Sequence, residues 1–350
     1  MTDNLVAAYE RLHDSGPEFG GDEEGNNGLT NHGPMAVEVI DRRGLDINTD
    51  RWLDHYIRRL TDLPTPSNRI TDWRQALGNG RRIADWTVYF REQVRQAPWQ
   101  DTLATWWPRL LPGIAAGSTH GVIRVGHAVR TLRTGNTSAP VLDELASGLA
   151  FWAARWRPLP TDTAGVPAPG PAAALDELPE LPDRSGLIAD RLARLAQLPR
   201  WPAALGALPS PTVTGDVPDA LAALVDAATV RYLRVGHHSA VLLVHTATAP
   251  NAVAHCLPVL PTALWPASLT AAWIAAAAIT VTYAGPPGDG AAVRPDAADP
   301  VGTLLDRVCD HRDEHVIKFA DTAIESYERS GDHDALAAAH LAADLISAAP

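Results

Sequence analysis

Apolar residues recur at helical spacing over most of this chain, and strand-like alternation is scarce. Leu5, Ala8, Tyr9 and Leu12 predict a short amphipathic helix over 4–14, stopped at Gly16-Pro17. A polar, glycine-rich loop follows at Gly20–Gly28. Pro34 suits a first helical turn, which places His32 in the approach to a helix N-terminus. Further helices are expected at 48–60 (Trp52, Tyr56 and Leu60, capped by Asn48 or Thr49), 83–96 and 99–111. A long helical run then follows Pro112 and reaches Arg130, and another spans 141–156.

The second half predicts helices at 184–198, 218–234, 239–246, 267–283, 301–329 and 333–348. For Val241–Pro250 a strand competes, because the run is short and rich in β-branched residues. Residues 158–183 are rich in Pro and Ala, and Pro160–Pro171 reads as a mobile linker or surface loop between helical halves. The fold class expected is mostly α: a single large multi-helix domain over 1–350 with a central Pro/Ala-rich linker or loop.

Net charge is −12 and no basic cluster occurs, which argues against nucleic acid or an anionic membrane as partner. The two cysteines, Cys256 and Cys309, are too few for a disulfide framework or a thiolate zinc site. No basic segment followed by an apolar run opens the chain, and the most apolar stretch, Leu269–Ala278, is too short to span a bilayer. A cytoplasmic location is the expectation. Eleven tryptophans outnumber four phenylalanines and six tyrosines. Core packing accounts for most of them, and some could line a flat pocket for an aromatic ligand.

Sequence signatures for a dinucleotide fold, a P-loop, a nucleophile elbow, an HExxH helix or a CxxC pair are absent. What remains is histidine, thirteen in all, and one lysine. Lys318 is the only lysine among 29 basic residues, so the other 28 are arginine. In so arginine-rich a chain, a retained lysine marks a position where an amine that can lose its proton is needed. His315 stands three residues earlier, on the same helical face. His120 and His127 are seven apart, roughly 10 Å along a helix axis, so one metal does not readily take both.

Several blocks then occur in order along the chain: Asn31-His32-Gly33-Pro34-Met35-Ala36; Asp85-Trp86 through Ala97-Pro98-Trp99; Trp106-Trp107-Pro108-Arg109-Leu110-Leu111-Pro112-Gly113; Thr119-His120-Gly121-Val122-Ile123-Arg124 with His127-Ala128-Val129-Arg130; His245-Thr246-Ala247-Thr248-Ala249-Pro250; and Asp313-Glu314-His315-Val316-Ile317-Lys318. Together they resemble the questin oxidase-like family over nearly the whole chain. That resemblance implies an oxygenase that tailors aromatic polyketides such as anthraquinones. Members are described as Baeyer–Villiger-type oxidases, often assigned NADPH. A fungal relative that cleaves an anthraquinone ring is a non-haem iron dioxygenase, its metal held by four histidines and a carboxylated lysine.

Carried over, the resemblance implies Fe(II) held by His32, His120, His245, His315 and Lys318 as a carbamate. His127 and Arg124 become candidate catalytic groups, and Trp107 and Met35 candidate substrate contacts. Asp313, Glu314 and Asp321 are candidates to orient metal-bound imidazoles. The partners implied are a small aromatic polyketide and O2. The alternatives are an NADPH-dependent Baeyer–Villiger monooxygenase without a metal, and a non-catalytic polyketide-binding helical protein.

Overall fold

The computed structural model of the protein describes residues 3–13, 15–16, 18–19, 29–290 and 298–349. The Gly20–Gly28 loop and residues 291–297 lie outside them. The chain is mostly α. Among the described residues the only strands are β1 (Glu18–Phe19) and β2 (Leu29–Thr30), an antiparallel pair with Glu18 opposite Thr30. The chain divides into two units, one of residues 1–158 with 255–264, the other of 159–254 with 265–350.

The first unit contains α1 (Asp3–Arg11), α2 (Gly33–Arg43), α3 (Thr49–Tyr56), α4 (Trp73–Ala76), α5 (Ile83–Gln96), α6 (Trp99–Leu110), α7 (His120–Leu132) and α8 (Ala139–Arg155). Helix α8 packs along both α5 and α7, α1 lies on α2 and α8, and α2 lies on α7. The alanine-rich and glycine-bearing surface of α8 lets it act as this central element. The tryptophans mostly pack the core: Trp86 and Phe90 of α5 meet Trp106 of α6, with Trp73 edge-on to Trp106. Two of the buried indoles also donate to backbone carbonyls, Trp86 Nε1 to Ala76 O (3.2 Å) and Trp152 Nε1 to Gly113 O (3.2 Å).

The second unit contains α9 (Pro171–Asp176), α10 (Ile188–Arg194), α11 (Trp201–Gly206), α12 (Val217–Val235), α13 (Ala240–Leu243), the start of α14 (His245–Cys256), α15 (Trp265–Tyr283), α16 (Pro300–His311), α17 (Glu314–Ser330) and α18 (His333–Leu345). Helix α12 packs on α9, α15, α17 and α18, while α17 lies along α18. The Pro/Ala-rich stretch is tied to its surroundings. Ala164 N donates to Pro202 O and Ala168 N to Ala207 O, both at 2.8 Å, and Trp201 Nε1 donates to Pro160 O at 3.0 Å.

Two segments depart from the sequence expectation, and a third decides an alternative that the sequence left open. The run after Pro112 is not one helix: Gly117, Ser118 and Thr119 adopt left-handed φ of 56°, 55° and 65°, and α7 begins at His120. The contested segment 241–250 is helical, in α13 and α14, which settles the β-branched ambiguity in favour of the longer apolar period. The expected helix 301–329 is broken at Arg312, whose φ is 61°, and restarts with Asp313 as N-cap of α17. The apolar helical run 262–283 is also longer than its core suggested. It and residues 240–259 are long and apolar enough to cross a bilayer, and 72% of the most apolar 18-residue window in each is buried within the protein.

Candidate metal centre

Within the first unit, His32 and His120 meet. Their rings are edge-on, and the two Nε2 atoms lie 2.7 Å apart. His32 precedes α2 on a backbone fixed from three sides. Its N–H donates to Tyr56 Oη at 2.5 Å, Asn31 Nδ2 donates to Gly16 O, and Gly33 N donates to Asn31 Oδ1. Gly33 is required for this approach, because a Cβ there would stand 2.9 Å from Tyr56 Cε1. His120 opens α7 straight out of the left-handed turn, and its Nδ1 lies 2.7 Å from Gly117 O. A carbonyl only accepts, so Nδ1 carries the proton and a neutral His120 ring presents the Nε2 lone pair. That is the tautomer a metal needs, fixed by a backbone partner on the opposite nitrogen.

Two non-glycine residues in left-handed conformation, one of them β-branched, are costly, and such strain gathers at functional positions. Here the strained turn is what brings the Gly117 carbonyl under His120. The sequence gives little warning of it beyond Gly117 itself.

Two turns further along the same helix pair, Glu38 of α2 faces His127 and Arg130 of α7. His127 Nδ1 donates to Glu38 Oε2 (2.8 Å), Arg130 Nε to Glu38 Oε1 (2.8 Å), and Arg130 Nη2 also reaches Glu38 Oε2. Burial pushes His127 down to about 4, against the raising influence of Glu38. Burial works to raise Glu38, but Arg130 and the His127 N–H outweigh it and hold the carboxyl well below its ordinary range. Arg124 is likewise engaged, its Nε and Nη2 donating to Glu144 at 2.5 and 2.6 Å. The two expected catalytic groups thus sit in buried, charge-balanced pairs that link α7 to α2 and to α8. Glu38 escaped the sequence reading, though a lone acid inside Met35-Ala36-Val37-Glu38-Val39-Ile40 is a signal for it. Met35 and Trp107 are fully buried, Trp107 edge-on to Trp152.

Within the second unit, α17 carries the other group. Asp313 caps the helix, accepting from His315 N (2.8 Å) and Val316 N (3.2 Å), and its Oδ1 is 3.4 Å from His315 Nδ1. Asp313, Glu314 and His315 each bring a ligand atom within 4.8 Å of the others. His245, at the start of α14, has its ring centroid 6.0 Å from that of His315. Lys318 lies one turn beyond His315 and is 2% exposed. Its Nζ has no hydrogen-bond partner among the described residues. Burial pushes the amine down from 10.5 to about 8, in spite of the opposing pull of Glu314 and Asp313. Asp321 is buried on the same helix.

Each unit therefore groups expected metal ligands, His32 with His120 in one and His245 with His315 and Lys318 in the other. No known family description and no curated protein matches this chain.

Proposed function

We propose that this protein is a non-haem iron-dependent oxygenase that oxidises or cleaves a ring of a polycyclic aromatic polyketide with O2. His32, His120, His245, His315 and Lys318 as a carbamate would be the ligands of one Fe(II). The observation that carries the reading is Lys318: the chain's single lysine, buried on α17, its Nζ without a hydrogen-bond partner among the described residues. An ammonium at that depth is destabilising, and the neutral amine is the form burial favours. A neutral Nζ adds through its lone pair to the carbon of CO2 and releases one proton, leaving an N-carboxylate that offers anionic oxygen. A guanidinium cannot do this.

The histidines add to the argument. His120 presents Nε2 as a lone pair, and neutral His32 does so once its ring proton moves from Nε2 to Nδ1. Asp313 holds the start of α17 and stands beside His315 Nδ1, as a group that orients a ligand would. Four imidazoles and one oxygen donor leave an octahedral Fe(II) one open position, and such an ion supplies the activation of O2. That the five residues share one ion, and that the substrate is an anthraquinone-like polyketide, rests on the ordered sequence blocks.

Iron content after anaerobic purification tests the reading. Stoichiometric iron is expected, lost in Lys318→Ala and in Lys318→Arg, and lost also in His120→Ala and His315→Ala. A Lys318→Arg protein that keeps full iron and full O2 consumption overturns it. Turnover of an anthraquinone that needs NADPH and survives a strong chelator would put the metal-free Baeyer–Villiger reaction in its place.

A further inference from the structure

The first unit carries a second polar cleft that shares no residue with the histidine pair. It has a volume of about 370 Å³ and lies between residues 77–81 and residues 154, 155 and 157. Three arginines line it, Arg81, Arg155 and Arg157, and none of its lining residues is acidic. Three guanidinium groups thus border one cleft in a chain of net charge −12.

The backbone that presents them is firmly set. Gly78 takes a left-handed φ of 76° and donates its N–H to Ala153 O at 2.8 Å. It passes so close to the next segment that a Cβ there would stand 2.6 Å from Trp156 O. The Trp156 ring in turn covers Gly113, where a Cβ would meet Cδ1 at 2.5 Å. The 77–81 loop and the end of α8 are thus held against each other, which sets the backbone positions that carry the arginines. Asn79 Oδ1 already accepts the Arg81 backbone N–H at 3.1 Å, so recognition falls to the side chains. The lining offers little apolar surface beyond Leu77 and Ala154, which excludes an aromatic ring as the preferred occupant.

We infer that this cleft binds a phosphate-bearing small molecule, with Arg81, Arg155 and Arg157 gripping a diphosphate-sized anion. Planar guanidinium groups pair with phosphate oxygens two at a time, and several on a rigid frame suit a group with more than one phosphate. The inference does not depend on the proposed oxygenase activity, since it uses none of the metal-ligand residues.

Calorimetric titration of the full chain with sodium pyrophosphate at low salt is the test, with ADP in a parallel titration. Saturable binding is expected, weakening with added NaCl and falling at least about tenfold in Arg157→Ala and in Arg81→Ala. Arg157 and Arg81 are exposed, so truncation leaves the core intact, and thermal melting of each variant verifies this. Arg51→Ala, an exposed arginine on α3, removes the same charge elsewhere and leaves affinity unchanged. If ADP binds with the same arginine dependence, the natural ligand is a nucleotide-type phosphoester; if pyrophosphate alone binds, it is the free anion. No binding by the unmodified protein, or an equal loss in all three variants, overturns the inference.

Discussion

The Nε2 atoms of His32 and His120 lie 2.7 Å apart in the interior of the first unit, and a single proton has to serve both. Because His120 commits its Nδ1 proton to Gly117 O, the shared proton belongs to His32 and the lone pair to His120. One backbone carbonyl in a left-handed turn therefore sets the protonation of a pair of histidines drawn from two helices.

Gly117→Ala tests that dependence. The added methyl would combine a φ of +56° with a Cβ 2.8 Å from Phe151 Cε1. A loss of about 2 kcal/mol is expected in urea unfolding of the metal-free protein, since left-handed strain alone costs about 1–2 kcal/mol. The His120 ring should also lose its fixed tautomer, visible in its 15N ring shifts. A variant as stable as the parent, with unchanged shifts, removes the turn from the account.

Gly33→Ala probes the other partner. Its methyl would crowd Tyr56 Cε1 at 2.9 Å and Asn31 Oδ1 at 3.1 Å, the groups that fix the backbone around His32. A stability loss of about 1–3 kcal/mol is expected, typical of overpacking, together with weaker metal uptake. Tyr56→Phe removes the hydroxyl that accepts from the His32 N–H and adds no bulk, so it should cost less, on the order of 1 kcal/mol. Metal titration of both variants by competition with a chromogenic chelator checks the ordering.

The Glu38–His127–Arg130 group should make the fold sensitive to acid. His127 is held down to about 4 in the folded chain against 6.5 unfolded, so the unfolded state binds the extra proton between those values. Stability falls as pH drops from 6.5 to 4, by about 1.4 kcal/mol per unit and about 3 kcal/mol in all. Glu38, held below its ordinary value, contributes stability that is complete above about pH 4.5 and is lost on further acidification. His127→Gln keeps a hydrogen-bond donor and removes the titration. It should be less stable than the parent at pH 7 and lose less on going to pH 4.5. Parallel pH profiles for the two proteins count against this.

Helix placement was legible because the apolar period runs through α5, α6, α8 and α12, while α15 announces itself as a long alanine-rich run that is apolar on every face. The errors fell where backbone conformation, rather than pattern, decides. Arg312 carries no left-handed signal, and the pattern on either side of it continues the same face; the clue was Asp313, a strong N-cap residue that the single-helix reading absorbed. Ser118 and Thr119 hide a left-handed turn even more completely, because neither residue type favours it. Of the site, Lys318 was conspicuous by composition, and His315 by its spacing. Glu38 and Glu144, which hold His127 and Arg124, were missed because ion pairs between distant helices leave no local period. The pairing of His32 with His120, 88 residues apart, likewise has no signature in spacing.

Lys318 yields the sharpest expectation when iron and bicarbonate are both removed. The folded-state amine is held at about 8 against 10.5 in the unfolded chain, so the unfolded state binds more protons between those values. Stability of the metal-free protein should therefore rise between pH 8 and 10.5, by about 3 kcal/mol in total. Lys318→Met has similar volume and no charge to desolvate. It should be the more stable protein at pH 7, with an advantage that shrinks as pH climbs through that window. The same variant should bind no iron. Urea unfolding across pH 7–10.5, beside iron analysis, separates the two effects: a gain in stability without loss of iron would leave Lys318 as a buried amine with no part in the metal centre. A loss of iron with no gain in stability would mean that Nζ is already satisfied in the metal-free fold.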